Sequence, residues 1–459
     1  MSSVGLSFGS ATSGQGIDVS STVTQILASY QAVETPWKSQ LTALQGQDTV
    51  LSTLGTQVST LTTDIQKLTD AMGVFEGKTG SSSDTNVLEL TSASALATAA
   101  THSVTVQSLA QTSSAATSAV AANDTLSGSV TIQVGTGTQY TVNVGDNSTA
   151  STIAGLAAAI NVASIGVTAS VLTDSSGSRL SVVSSTSGAA GTLTVSGSLT
   201  DASNSDAGVS FSQVQAGADA SVTVDGLSIT SASNTVTNAI PGVTFQLLSA
   251  DAGEPVQVVI ANDNSSIESA VGTFVSDYNT LLKTVTGQEG NDSSGNAEPL
   301  YGNPVIAQLQ SILEGAMSVT PANGSITSLY SLGITTDSDG TLSLNTDTLD
   351  SALNSNFSDV QGFFQNSGSF GASLAATLNN LGTTNPVGVL ALTEKANSSE
   401  ESTLNDDISN EESRLSDMKT QLTDELNEVN QTLQAIPSQI NYVNELYSAI
   451  TGYNDKSSS

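Results

Sequence analysis

The sequence predicts a multidomain α+β protein in which paired N- and C-terminal helices form a coiled-coil leg around nested antiparallel β-rich head domains. Three observations support this fold class. Apolar residues recur at heptad spacing near both chain ends, apolar and polar residues alternate through the middle, and the chain is long enough for roughly three domains. We therefore expect the β-rich domains to lie in sequence between two helical arms.

The N-terminal arm carries a heptad stripe that begins after Pro36. One series, with members seven residues apart, contains Trp37, Leu44, Leu51, Val58, Ile65 and Met72. A second series, offset by three residues, contains Leu54, Leu61, Leu68 and Phe75. Such a stripe is typical of a helix that packs lengthwise on another helix. Gly46 and Gly55 each cost this helix up to about 1 kcal/mol, so we expect its seam to be loosely packed.

The C-terminal arm carries a matching stripe. Ser398 and Glu401 fit a capping box that opens a helix. The stripe then continues through Leu404, Ile408, Leu415, Met418, Leu422, Leu426, Val429, Leu433 and Ile436. An antiparallel pair of arms is the simplest arrangement, and it predicts that one group of seam residues packs against another: Leu51, Leu54, Val58 and Leu61 against Leu415, Leu422, Leu426 and Val429.

Two short apolar tails lie outside the prolines that punctuate the arms, Pro36 and Pro437. The first tail contains Ile17, Val23, Ile26, Leu27, Tyr30 and Val33. The second contains Ile440, Val443, Tyr447 and Ile450. Isolated helices of about 12 to 15 residues are marginal in water, so we expect the tails to order only when a partner covers them. These ten side chains are the predicted partner-binding residues.

The middle of the chain alternates as short strands do. VTIQV and YTVNV flank a glycine-containing turn, Ser148 is a candidate cap for a following helix, and GVTASVLTD and RLSVVSS are two further strands. This order predicts a ββαββ unit. A second strand set runs from residue 221 to residue 261, and SVTVQSLAQ near residue 105 is expected to pair with it.

These patterns divide the chain into seven segments. The predicted segments are a tail at 1–36, a leg helix at 37–76, the first part of the head at 77–125, the ββαββ insert at 126–209, the second part of the head at 210–262, a leg domain with the long C-terminal helix at 263–437, and a tail at 438–459. In the leg domain, Ser265 and Glu268 fit a capping box that opens a helix.

Residues that serve common catalytic chemistry are scarce. The chain has no cysteine and one histidine, His102, so thiol nucleophiles, triads and histidine metal sites lack parts. Asp337, Asp339 and Gly340 resemble the start of a calcium loop, but the glutamate expected at its end is missing, which favours a turn. We predict that the chain is not an enzyme and holds no cofactor or metal.

The charge balance excludes several kinds of partner. Nine basic residues face 42 acidic ones, for a net charge of −33, and Arg179 and Lys283 are the only bases between residues 79 and 394. Nucleic acid and anionic lipid therefore have no basic patch to bind. No stretch of about 18 apolar residues is present, so membrane insertion is not expected. An assembly protein and a sugar-binding adhesin remain as the two classes.

Two segments resemble a known family. SGQGIDVSSTVTQILASYQAVETPW resembles the start of bacterial flagellar filament cap proteins, the second hook-associated proteins, at Gly16, Ile17, Asp18, Glu34 and Pro36. The stretch from ASVTVDGLSIT to SDYNTLL resembles the family's most specific region at Asp225, Gly226, Asn234, Gly242, Val243, Asp263, Phe274, Val275, Tyr278 and Asn279. LGITTDSDGTLSLN is similar to a downstream motif, and residues 126–196 resemble the insert shared by flagellin and hook proteins.

The resemblance implies a structural role at the distal tip of the flagellum, outside the cell, after export without a cleaved signal peptide. Copies of such a protein, commonly five, form a ring that retains exported flagellin and promotes its folding and polymerisation. The implied partners are other copies of the chain, flagellin, the hook-filament junction protein and an export chaperone. The alternatives are another axial flagellar protein, or an adhesin that binds host or surface glycans through its β-rich head.

Overall fold

The computed structural model describes residues 16–145, 150–318, 324–383 and 387–452. The chain separates into two compact units. A helical unit combines Met1–Asp70 with Glu268–Ser459, and a sheet unit consists of Ala71–Ile267. Both chain ends thus belong to the helical unit, and the sheets lie between them in sequence. The predicted mixed α+β class with terminal helices and nested antiparallel sheets is confirmed, whereas the finer division into seven segments stays a prediction.

The helices of the described residues fall mainly in the helical unit. In chain order they are α1 (Val19–Gln31), α2 (Glu34–Thr69), α3 (Ile153–Val162), α4 (Asn264–Gly287), α5 (Pro304–Met317), α6 (Thr346–Gln365), α7 (Phe370–Leu381) and α8 (Val389–Thr451). Of these, α3 lies wholly in the sheet unit.

The strands are short and mostly lie in the sheet unit. They are β1 (Lys78–Ser82), β2 (Leu88–Ala93), β3 (Ala100–Ser108), β4 (Thr112–Thr117), β5 (Leu126–Val134), β6 (Tyr140–Val144), β7 (Val167–Asp174), β8 (Gly177–Ser187), β9 (Leu193–Asp201), β10 (Ala207–Val209), β11 (Phe211–Gln215), β12 (Ala220–Val224), β13 (Leu227–Ser231), β14 (Thr235–Thr237), β15 (Val243–Leu247), β16 (Asp251–Asn262), β17 (Ile334–Thr336) and β18 (Leu342–Leu344).

Antiparallel pairing joins the strands of the sheet unit. The sheets have the orders β1-β16-β3-β12-β13, β10-β9-β5-β6, β11-β4-β8-β7 and β14-β15-β2. The strand β3 pairs with β12 and β16 on either side, as the SVTVQSLAQ pattern predicts. In the helical unit, β17 and β18 pair as a hairpin around the turn predicted at Asp337–Gly340.

The sheet unit has two hydrophobic cores. One contains Val222 and Phe245 among other fully buried side chains. The other surrounds α3, whose Leu156 and Ile160 are fully buried together with Val182 of β8. The chain order β5-β6-α3-β7-β8 is the predicted ββαββ unit.

The start of α3 differs in detail from the prediction. Thr152 caps this helix, since its Oγ1 accepts a hydrogen bond from the Gly155 N–H at 3.2 Å. The predicted cap, Ser148, lies outside the described residues.

The helical unit is built around the middle of α2. Six seam residues there are at most 1% exposed: Leu51, Leu54, Val58, Leu61, Ile65 and Leu68. Val58 lies beside Gly382, which follows α7. Beneath them is an aromatic cluster in which Phe363 and Phe370 stack with ring centroids 5.1 Å apart, and Phe274 of α4 meets Phe370 edge-on at 6.4 Å.

The predicted boundaries of the long C-terminal helix are wrong at both ends. The helix α8 begins at Val389, and Ser398 lies inside it, because VLALTEK upstream is itself a good helix-forming segment. Pro437 does not end the helix, which continues to Thr451. A proline removes one backbone donor, and the many remaining hydrogen bonds of a 63-residue helix offset that loss.

Two other helix starts are shifted by a few residues. Pro36 lies in the first turn of α2, where its missing N–H costs nothing, and the chain breaks at Ala32 and Val33 instead. At α4, Asp263 is the capping side chain in place of Ser265, since its carboxylate accepts from Ser266 N at 3.1 Å and from Ser266 Oγ at 2.6 Å.

The predicted pairing of the two seams is also wrong, although α2 and α8 do run antiparallel. Lys38 pairs with Glu412 at 2.8 Å, and Asn397 Nδ2 donates to Asp48 Oδ1 at 2.7 Å. This register brings the first half of α8 alongside α2. Leu415 and the residues after it extend past the start of α2 and pack against α1. Heptad spacing alone leaves the register undefined, because every heptad offers the same apolar positions.

Candidate partner-binding surface

The N-terminal helix α1 lies antiparallel on the middle of α8, from Arg414 to Asn430. At one end, the Ile17 N–H donates to Asn430 Oδ1 at 2.8 Å. At the other end, the Arg414 guanidinium lies over the Tyr30 ring, 5.8 Å from its centroid. Asp18 caps α1 by accepting from the Ser21 N–H at 3.0 Å.

A small apolar core holds α1 against α8. Val23, Leu27 and Leu415 are buried there, and four half-buried side chains surround them: Val19, Met418, Leu422 and Leu426. Val23 and Leu27 were expected to wait for another molecule. Within the folded chain α8 already covers them, so the expectation that the first tail lacks an internal packing partner is wrong. Packing of an amphipathic face stabilises a helix that is too short to persist alone.

The rest of the predicted binding residues are more accessible. Ile17 and Ile26 are half-buried, whereas Tyr30 and Val33 are exposed at the end of α1. At the end of α8, Ile440, Val443, Tyr447 and Ile450 are exposed. Two exposed residues that the sequence interpretation missed, Tyr442 and Leu446, lie among them. Tyr442 and Leu446 are four residues apart, a helical spacing that could have revealed a second apolar stripe on the same helix.

We call the exposed side chains at the end of α8 the tail surface: Ile440, Tyr442, Val443, Leu446, Tyr447 and Ile450. Tyr30 lies apart from it, beside Arg414. The tail surface is apolar on more than one side of the helix, so no single neighbouring helix could bury all of it. Individual exposed apolar residues are common on proteins, whereas a cluster of them on one helix end is a candidate interaction surface.

Burial of the seam decreases from the middle of α2 toward the tail surface. The seam residues of α2 between Leu51 and Leu68 are fully buried, while Trp37 and Leu44 are half-buried. On α8, Leu415 is buried, Leu422, Leu426 and Leu433 are half-buried, and Val429 is 47% exposed. The seam therefore has a rigid end and an accessible end.

Two of the chain's nine basic residues, Lys38 and Arg414, lie where α1, α2 and α8 meet. Lys38 bonds Glu34 Oε2 at 2.7 Å and Glu412 Oε1 at 2.8 Å, and these bonds, that of Glu34 first, raise the pKa of Lys38. Arg414 pairs with Glu411, which raises the pKa of the guanidinium. Exposed ion pairs contribute little energy each, so their main effect here is on orientation.

Several residues that carry the family resemblance have structural roles. Asp225 and Gly226 form the turn between β12 and β13 with positive φ angles of 49° and 84°. The Asp225 carboxylate contacts the His102 ring at 2.7 Å and accepts from the Ser103 N–H at 2.9 Å, contacts that lower the pKa of Asp225. His102 thus contributes to a strand-to-turn contact.

The Asp337–Gly340 segment forms a hydrogen-bonded turn. Its carboxylates accept from neighbouring hydroxyl groups, Asp339 from Thr341 and Asp337 from Ser343, both at 2.6 Å. In the described residues no group of three or more potential metal ligands comes together, and no helix is long and apolar enough to cross a bilayer.

The fold and the tail surface define a class: multidomain α+β chains whose two ends pair as helices and leave an apolar helix end exposed. Comparison with known proteins identifies the family. Residues 15–113 match the flagellar hook-associated protein 2 N-terminus, and residues 217–444 match the flagellar hook-associated protein 2 C-terminus. The two matches together cover more than half of the chain, which belongs to the flagellar hook-associated protein 2 family. The resemblance inferred from the sequence is confirmed.

Individual relatives agree with this assignment. The B-type flagellar hook-associated protein 2 of Pseudomonas aeruginosa is 33% identical over 263 residues, which are 52% of this chain and 55% of that protein. The flagellar hook-associated protein 2 of Escherichia coli K12 is 30% identical over 255 residues, 51% of this chain and 54% of that protein. The chain thus spans about half the length of these relatives.

A solved structure supports the fold over a larger part of the chain. The D1-D2-D3 domains of the flagellar cap protein FliD from Escherichia coli are 27% identical, with a TM-score of 0.55, and the match covers 76% of this chain and 99% of that one.

Proposed function

We propose that this chain caps the distal tip of the bacterial flagellum, where it prevents loss of exported flagellin and promotes flagellin folding and polymerisation into the growing filament. Family membership supports the proposal, since the relatives are flagellar hook-associated proteins and the solved neighbour is a flagellar cap protein. The proposed location is extracellular, after export without a cleaved signal peptide. The role needs no catalytic step.

The observation that carries the proposal is the tail surface. Ile440, Val443 and Tyr447 are 41%, 61% and 60% exposed on consecutive turns of α8. Leaving such side chains in water forfeits the favourable free energy of their burial, and a binding partner recovers it. Several modest apolar contacts also suit a cap that must detach and rebind as subunits are added, because avidity permits stepwise exchange.

The proposed partners are other copies of the chain in a ring, commonly of five in the family, together with flagellin, the hook-filament junction protein and an export chaperone.

Filament growth on capless filaments tests the proposal directly. The purified full chain, added with flagellin, should lengthen the filaments, whereas Val443→Ser combined with Tyr447→Ser should abolish most of the growth without changing the melting temperature. Leu172→Ser, an exposed change on β7 of the sheet unit, is the matched control and should leave growth intact.

The alternatives predict different results. Another axial protein would be incorporated along the filament instead of remaining at its tip, which labelled protein would reveal by microscopy. An adhesin would bind a glycan array through its sheet unit and leave filament growth unaffected. Absence of growth with the unaltered chain and a flagellin from the same organism would contradict the proposal.

A further inference from the structure

Two polar contacts join α2 and α4 inside an otherwise apolar part of the helical unit. Gln57 Nε2 donates to Thr284 Oγ1 at 3.0 Å. Seven residues further along α2, and seven residues back along α4, the carboxyl groups of Asp64 and Asp277 are within hydrogen-bonding reach of each other. The equal spacing indicates that the two helices run antiparallel here. Fully buried apolar residues flank the carboxyl pair: Leu61, Ile65, Phe274, Tyr278 and Leu281.

The Asp64 carboxylate has one oxygen without a donor. Asp64 is only 3% exposed, and its Oδ1 accepts from Lys67 Nζ at 2.8 Å. Its other oxygen, Oδ2, is buried and receives no hydrogen bond from any N–H or hydroxyl group in the described parts of the chain. An unpaired buried acceptor is costly, and more so when it carries charge. A donor at Oδ2 would remove this cost.

Asp277 can supply that donor only in its protonated form, because two ionised carboxylates are both acceptors. We propose that Asp64 and Asp277 share one proton and act as an acid-strengthened clamp between α2 and α4. The Asp277 hydroxyl donates to Asp64 Oδ2, while Lys67 Nζ donates to the other oxygen, Oδ1, at 2.8 Å. The pair then carries one negative charge, which Lys67 balances. This inference does not depend on the proposed capping function.

The charged groups that act on Asp277 in the described residues are Asp64 and Lys67, both on α2. Burial, then the hydrogen bond and charge of Asp64, raise the pKa of Asp277, and Lys67 opposes the rise. On α4 the adjacent titratable group is Tyr278, whose pKa is raised by burial and by Glu314 of α5 to about 12, so it stays neutral. No other titratable group contributes to this shift.

The sign of the pH dependence follows from linkage. Because the pKa of Asp277 is higher in the folded chain than in the unfolded chain, its protonation contributes stability that is complete below the unfolded pKa. That contribution is lost as the pH rises through the folded pKa. The clamp is therefore tighter in mild acid than at neutral pH.

The chain's single tryptophan, Trp37, lies on α2, so its fluorescence reports on the helical unit. Urea unfolding of the full chain followed in this way, from about pH 4.5 to about pH 8, measures the clamp. In Asp277→Asn, the amide supplies a permanent N–H donor to Asp64. We expect this variant to match or exceed the wild-type urea midpoint at the alkaline end and to lose part of the wild-type gain on acidification.

Two further variants complete the test. Asp64→Asn should remove the same part of the pH dependence of the urea midpoint as Asp277→Asn. The double variant should remove no more of that pH dependence than either single variant. Thr284→Val, which breaks the other polar contact between the same helices, should shift the midpoint equally at every pH. The clamp is excluded if Asp277→Asn keeps the full wild-type pH dependence, fails to fold, or lowers the midpoint at the alkaline end.

Discussion

At the scale of single residues, three asparagines substitute for strand pairing. Asn279 Nδ2 donates to the Leu342 carbonyl at 2.8 Å and its Oδ1 accepts from the Leu342 N–H at 2.7 Å. Asn234 makes the same pair of contacts with Ala110, and Asn161 with Ala169. Each carboxamide satisfies both backbone groups of one residue. Asn279 thereby fixes the β17-β18 hairpin to α4.

The Asn279 contact predicts a specific loss. Asn279→Asp keeps the acceptor but removes the donor, and it places a carboxylate oxygen against the Leu342 carbonyl. We expect the free energy of unfolding to fall by about 1 to 3 kcal/mol, measured by urea titration with Trp37 fluorescence. Asn405→Asp, an exposed change on α8, is the control and should alter stability little. Equal stability of the two variants would show that the amide donor contributes nothing.

Alanine substitutions at two glycines, Gly242 and Gly226, distinguish the cost of backbone strain from the cost of steric overlap. Gly242 and Gly226 have φ angles of +74° and +84°, so alanine at either position costs about 1 kcal/mol or more. A Cβ on Gly242 would also lie 2.7 Å from Ala97 N, while one on Gly226 meets nothing within 4 Å. We expect Gly242→Ala to lower the melting temperature of the sheet unit, followed by circular dichroism, more than Gly226→Ala. The opposite order would mean that the loop around Ala97 yields freely.

At the scale of elements, patterns that depend on neighbours in sequence were predictable. The ββαββ order, the terminal helices and the turn between β17 and β18 follow from periodicity and turn residues alone. The pairing of the α2 and α8 seams was not predictable, because every heptad offers the same apolar positions and several registers are therefore equally compatible with the sequence. The length of α8 and the capping residues of α3 and α4 also differed from the predictions. Several serine, threonine and aspartate residues lie near the start of each of the two capped helices, and any of them could fill the N-cap position.

The candidate site was predictable in part for the same reason. Apolar tail residues stand out in a polar sequence, so Tyr447 and Ile450 were found before the fold was known. That Val23 and Leu27 are covered by α8 depends on a contact between residues about 400 positions apart, as the bond between Ile17 and Asn430 illustrates. No local pattern encodes such a contact.

Burial of the α2 seam predicts the effect of a charge placed in it. Val58 is 1% exposed, and the neighbouring Ser59 is exposed on the same helix. Val58→Asp should bury an unpaired carboxylate and reduce the free energy of unfolding by at least about 3 kcal/mol, while Ser59→Asp should change it by less than about 0.5 kcal/mol. Thermal melting provides the measurement. Unchanged melting of the Val58 variant would mean that the seam is not packed.

At the scale of the whole molecule, negative charge dominates. The net charge is −33, and several of the nine basic residues, among them Lys38, Lys67 and Arg414, take part in ion pairs. Repulsion among the remaining carboxylates opposes the compact state, and salt screens it.

This imbalance predicts that salt stabilises the chain. Raising sodium chloride from about 20 mM to about 300 mM should raise the melting temperature by roughly 2 to 4 °C, equivalent to about 1 kcal/mol. An uncharged osmolyte at equal osmolality is the control for non-electrostatic effects. A fall in melting temperature would indicate that the ion pairs outweigh the repulsion.

The central claim is that the tail surface of α8 contacts the filament. Because the chain has no cysteine, Tyr447→Cys introduces a unique thiol that can carry a photoactivatable crosslinker. With capless filaments and flagellin, irradiation should join this position to flagellin, while the same label at Leu172→Cys on the sheet unit should give little of that product. Filaments that lengthen normally without any crosslink from position 447 would contradict the account.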